Sequence, residues 1–297
     1  MKKFKLFLIT LAILGCGVLF AQAKDDPQTV TPMPVPAIYF VKAKTLPQGK
    51  TAVRSYYMKP FITEMYNPVT QQVTKVPETM HINFNTFMIF GSYGITDRVT
   101  VGMNAKVNLN TIEGPDSIKK GYGVGDIETL LKISVLQANP VQLSFAVNTS
   151  FPTGSAVQSN TAIPLGTDSL DLSFRLLSDF RIGKTILSGS FFYTLKGRTI
   201  ADSIDNGDSI RVIVTEAIPL PAGFSIELTA NYEHGFADRE DGEDLPRTKS
   251  DFLSFAFGAQ YSITPSFTVQ ALYEFAPYVN DNFSRKHTLK GGLSINF

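Results

Sequence analysis

The chain has 297 residues, and its 27 Lys and Arg against 26 Asp and Glu give a formal charge of +1, too balanced for a broad nucleic-acid-binding surface. A single cysteine excludes a disulfide scaffold. Mean hydropathy is only +0.04, and past the first two dozen residues no stretch approaches the roughly 18 apolar residues of a membrane helix.

In chain order, Lys2, Lys3 and Lys5 precede an apolar run from Leu6 to Phe20, followed by Ala21-Gln22-Ala23. This is the order of a secretory signal peptide, residues 1–23, with cleavage after Ala23. Ile13-Leu14-Gly15-Cys16 loosely resembles a lipoprotein processing site. Leu14 fits that reading poorly and the apolar run continues past Cys16, so lipidation of Cys16 stays open. Cleavage after Ala23 leaves 24 basic and 26 acidic side chains and no cysteine. Residues 24–47 hold Pro27, Pro32, Pro34, Pro36 and Pro47, leaving only Ala37 to Val41 free to join a ladder. Two readings stand: a periplasmic tail, or a plug with Tyr39 and Phe40 inside a barrel formed by residues 48–297.

From Gly49 onward, alternating segments of about 10 to 15 residues are joined by connections that are alternately short and long. The short ones are 96–98, 137–140, 183–184, 219–223 and 264–266, rich in turn formers. The long ones, near 63–80, 111–122, 155–168, 199–207 and 237–249, hold most of the Asp, Gly, Pro and Ser; a sixth, near 280–283, is short. Val141, Leu143, Phe145, Val147 and Phe151 oppose Gln142, Ser144, Asn148 and Ser150, and the parity recurs over Val99–Leu109 and Phe224–Tyr232. It weakens over Thr51–Ile62, where Arg54 and Lys59 fall on opposite faces. In the absence of tryptophan, Phe151, Tyr193, Tyr232, Tyr273, Phe275 and Phe297, toward strand ends, are the candidates for an interfacial girdle. The chain closes on strict alternation: Leu289, Gly291, Leu293, Ile295 and Phe297 on one face, Thr288, Lys290, Gly292, Ser294 and Asn296 on the other. Lys290, Gly292, Ile295 and Phe297 resemble the C-terminal assembly signal of bacterial outer-membrane proteins, which implies the barrel-assembly machinery as a partner.

These features predict an all-β fold, a transmembrane antiparallel barrel of about twelve strands in the bacterial outer membrane, with both termini periplasmic and lipid and lipopolysaccharide around it. Parity puts Lys106, Glu128, Lys132, Asp171, Arg175, Asp179, Arg181, Lys196, Arg211, Glu227, Glu233, Glu274 and Lys290 on the inner face. They either line a path or fill the lumen as ion pairs, and their mixed sign argues against strong ion selectivity. Phe87, Ile89, Phe192 and Leu272 are candidates for an apolar path. His81, His234 and His287 are the only histidines, and neither a metal-binding His repeat nor a Gly-x-Ser-x-Gly elbow occurs. Gly183-Lys184-Thr185 reads as a hairpin turn, and the acids of 238–244 and 202–208 as solvated loops. No enzyme, cofactor or metal is expected.

The most specific stretch is Gly121-Tyr122-Gly123-Val124-Gly125-Asp126, then Phe151-Pro152-Thr153-Gly154, Leu165-Gly166-Thr167-Asp168 and Tyr193 to Gly197. It resembles the outer-membrane family named for the meta-pathway of phenol degradation, whose members are regarded as transporters akin to channels for fatty acids and aromatic hydrocarbons. Ser155 to Pro164 departs from that pattern, holding no glycine where members are often glycine-rich. The resemblance implies a channel or transporter for small hydrophobic or aromatic molecules. A structural or surface-interaction barrel, or less readily a membrane-embedded hydrolase, is the alternative.

Overall fold

Twelve long strands alternate along the chain in a computed structural model that describes residues 42–67, 72–155, 161–199, 204–245, 248–280 and 283–297. They are β1 (Thr51–Asn67), β2 (Thr86–Thr96), β3 (Val99–Glu113), β4 (Ile127–Gln137), β5 (Val141–Phe151), β6 (Asp171–Ile182), β7 (Thr185–Leu195), β8 (Ser209–Pro219), β9 (Phe224–Gly235), β10 (Ser250–Thr264), β11 (Phe267–Asn280) and β12 (Phe283–Asn296). Each pairs antiparallel with its chain neighbour, and β12 returns to β1 with Ala52 opposite Asn296 and Met65 opposite Phe283. The sheet is therefore closed, which satisfies every wall's backbone groups where no water is available. The expectations for residues 1–23, Cys16, Tyr39 and Phe40 lie outside the described residues.

Burial is inverted relative to a soluble protein. In β9, Ser225, Glu227, Thr229 and Asn231 are buried while Phe224 and Leu228 are exposed; in β3, Thr100 and Asn104 are buried while Met103, Val107 and Leu109 are exposed. A soluble sandwich would bury the apolar parity, so the exposed parity is the lipid-facing one. Aromatic side chains mark the outer surface near both strand ends: Tyr93, Phe297 and the stacked Phe224–Tyr261 pair (ring centres 4.4 Å apart) toward the short turns, Phe151, Tyr273 and Phe275 toward the loops. Tyr193 and Tyr232 also face outward there, their hydroxyls donating to Asp208 (2.6 Å) and Asp251 (2.8 Å).

The first strand resolves the weak parity of its sequence. Arg54 pairs across from Phe90 and Ser294 on the inner face, whereas Lys59 faces outward with its ammonium 5.9 Å from the Phe61 ring. At the loop end the wall is extended by short strands: Gln72–Lys75 on β1, and His81–Asn83 and Ile118–Val124 on β3. Asp238–Glu240 and Glu243–Leu245 form a separate ribbon closed by an Arg239–Asp244 ion pair of 2.8 Å.

Candidate functional site: the occluded lumen

Twelve strands enclose an interior between the filled core of small barrels and the aqueous bore of porins, so a few inward side chains and one strand-like segment suffice to occupy it. The described part of the N-terminal segment lies there. Ala43 is completely buried and Thr45 nearly so. The backbone N–H groups of Ala43 and Lys44 donate to one oxygen of Asp179, at 2.9 and 3.3 Å. The Ser144 hydroxyl donates to the Ala43 carbonyl. The Lys132 ammonium donates to the carbonyls of Lys42 (3.3 Å) and Lys44 (2.5 Å). Toward the turns, Leu46 N–H donates to Thr100 Oγ1 (2.8 Å), the Thr45 hydroxyl to the Asp97 carbonyl (2.6 Å), and Gln137 Nε2 to Thr45 Oγ1 (2.9 Å). Backbone groups that would otherwise be buried unpaired are thus met by β3 to β6. Gly94 makes the entry possible, because a side-chain carbon there would come within 2.1 Å of the Pro47 carbonyl oxygen. Burial lowers the ammonium of Lys42, which precedes β1, to about 7, against the attraction of Asp179 and Glu227.

On the far side of the lumen the inner charges form a chain across five strands. Lys290 pairs with Glu274 at 2.7 Å, with both side chains only 8% exposed. Ser254 donates to Glu274 (2.6 Å), Asn231 to Ser254 (3.3 Å), and Arg211 Nε to Asn231 (2.8 Å) while lying 3.8 Å from Glu233. On the other wall Lys106 pairs with Glu128, which also accepts from Asn148 at 3.2 Å. Asp179 receives Ser188 as well as the segment. Strand register puts Asp171, Arg175, Arg181 and Glu227 on the same inner parity, with Arg181 exposed at the turn end. Lys196, expected in the lumen, lies past the end of β7 and is exposed.

Two apolar candidates are misplaced. Phe87 and Ile89 are 46% and 59% exposed, whereas Met88 and Phe90 are 8% and 9% exposed and pair with the inward Lys106 and Asn104. Strand β2 carries large apolar residues on both parities, so alternation alone could not choose; register against β3 does. Phe192 and Leu272 do point inward. Leu272 joins Tyr56, Met88, Ala256 and Met58 in an apolar strip that runs across the β10–β11 and β1–β2 walls. Gly292 lets the Tyr56 ring lie over it, since a side-chain carbon there would meet the ring at 2.6 Å.

The motifs quoted for the family resemblance converge. Asp126, 5% exposed, accepts from Gly154 N–H (3.0 Å) through one oxygen and from Thr167 N–H (2.7 Å) and Oγ1 (3.0 Å) through the other. A glycine at 166 is required because any side-chain carbon would meet Asp126 at 2.3 Å. The Gly-Asp opening, the Pro-Thr-Gly strand end and the Leu-Gly-Thr loop are therefore one knot that ties the 161–167 return to the rim. Of the histidines, His234 pairs with Asp251 (2.9 Å), His287 with the Tyr273 hydroxyl, and His81 stands in the short strand on β3.

The fold is shared with an outer membrane channel from Pseudomonas putida F1, at a TM-score of 0.72 and 16% identity over 89% of this chain and all of that one. The KdgM porin aligns over 82% of this chain and 99% of its own at 6% identity and a TM-score of 0.50. No curated protein sequence matches. A family model described as "Putative MetA-pathway of phenol degradation" matches residues 62–281. The chain belongs to that family of outer-membrane β-barrels.

Proposed function

We propose that this protein is an outer-membrane channel for small, hydrophobic or aromatic molecules, closed at its periplasmic end by residues 42–47. In this reading the short turns and both chain ends face the periplasm and the longer loops face outward. The observation that carries it is the segment held inside the lumen by hydrogen bonds that Asp179 and Thr100 accept and that Ser144 and Lys132 donate. A wall built only for stability has no need to bury a segment without a ladder of its own among charged groups. The name of the Pseudomonas relative, an outer membrane channel, supports the reading. So does the amphipathic lining, with the strip of Tyr56, Met88 and Leu272 beside fixed charges. Such a lining suits solutes with an apolar body and a polar handle better than hydrated ions.

Uptake by cells with and without the gene tests this directly. Entry of small labelled aromatics should slow several-fold in the deletion and recover on complementation. Uptake that is unchanged for every solute in an aromatic and aliphatic panel would defeat the channel reading and favour a structural barrel.

A further inference from the structure

We propose that Arg175, Phe192 and Arg211 form a binding site in the outer half of the lumen for a small aromatic carboxylate. The proposal deepens the channel reading and rests on it for the direction of access.

Register places the three in one row on adjacent strands. Phe192 of β7 lies opposite Arg175 of β6 on one side and opposite Arg211 of β8 on the other. The Arg175 guanidinium sits 4.9 Å from the centre of the Phe192 ring, and that ring packs on Ile213. One aromatic surface is therefore flanked by two cations. Arg211 is held by Asn231 and Glu233, so its orientation is set. Arg175 differs: its Nε is buried without a hydrogen-bond partner, and among the described residues no carboxylate lies within ion-pair distance of it. The nearby Glu128 is already engaged by Lys106 and Asn148.

A buried guanidinium edge with an unsatisfied donor beside an apolar ring presents two complementary requirements, an anion with planar acceptors and a flat apolar body. An aryl carboxylate meets both. Its oxygens take the Arg175 donors while its ring lies beside Phe192, which packs on the buried Ile213. A neutral aromatic alcohol satisfies only the second requirement, and an aromatic ammonium is repelled by both arginines. The row lies two inward positions farther from the turns than Asp179, where the N-terminal segment is anchored. A solute entering past the outer loops meets the site before the obstruction.

The test is calorimetric titration of the full mature protein in detergent with benzoate, benzyl alcohol and benzylammonium, each variant first checked for the heat-modifiable migration of a folded barrel. Benzoate should bind at least tenfold tighter than benzyl alcohol, and benzylammonium weakest. Arg175→Gln should remove that preference while leaving benzyl alcohol unchanged. Arg175→Lys, which keeps the charge and guards against a folding failure of the Gln variant, should weaken benzoate at least threefold because the planar fork is lost. Phe192→Leu should weaken benzoate and benzyl alcohol alike. Equal affinity for benzoate and benzyl alcohol, or unchanged benzoate affinity in folded Arg175→Lys, overturns the proposal. Binding is read without passage, so a protein that selects benzoate yet transports nothing would defeat the channel reading and leave this site standing.

Discussion

Single side chains at the inner surface are under stricter demand than those outside. Outward positions such as Phe87, Ile89 and Leu289 need only be apolar, since lipid adapts to any shape. Inward positions must meet specific partners. At Gly94 the constraint is space: Gly94→Ala puts a methyl into the path of Pro47, so the segment must shift or leave, while the strand itself accepts alanine. The expected result is a folded barrel in which a protease added from the side of the short turns removes residues before 48 several-fold faster; equal cleavage would show that Pro47 does not need the glycine. At Lys290 the constraint is charge. Lys290→Met takes the ammonium away from the buried Glu274, to which Ser254 still donates, and loss of one member of a buried pair costs about 3 to 5 kcal/mol. A double Lys290→Met, Glu274→Leu variant should recover most of that loss in chemical denaturation from detergent. A double variant no more stable than the single would remove the pair from the account.

At the level of elements, strand existence and turn positions were legible because the two-residue period and the turn formers are local signals. Twelve strands, the five short turns and the outward parity of β3, β5 and β9 follow from that pattern alone. Three things were hidden because they are set by pairing across strands. The choice between Phe87 and Met88 is fixed by register with β3, and the inward turn of Arg54 by its neighbours Phe90 and Ser294. The third is the role of Asp126. Its motif was visible, but the two segments it ties, Gly154 and Thr167, are 28 and 41 residues away. Asp126→Ala deletes a carboxylate that accepts three hydrogen bonds, each charge-assisted bond contributing about 1.5 to 3 kcal/mol. Thermolysin should then cut between residues 155 and 168 in an otherwise folded barrel at least tenfold faster. An unchanged cleavage rate would mean the loop is held by other contacts.

For the whole molecule, closure of the sheet and occupation of its interior are separate achievements of the sequence. Closure depends on β12 finding β1, and the C-terminal strand supplies it with apolar Leu293 and Ile295 outside and Lys290, Gly292 and Ser294 inside. Occupation depends on Ala43 and Thr45, whose small side chains give no periodic signal; only the proline spacing upstream hinted that the segment could lie among other elements without a ladder of its own. Asp179 and Lys132 each hydrogen-bond to that segment, so removing it leaves an anion and a cation that lose partners and face an open lumen. The measurement that bears most directly on the account is single-channel conductance in planar bilayers, comparing protein beginning at residue 24 with a version beginning at residue 48. Low, intermittent conductance that becomes larger and steady on truncation is the predicted result. Identical conductance from the two, or silence from both, would contradict a lumen closed by residues 42–47.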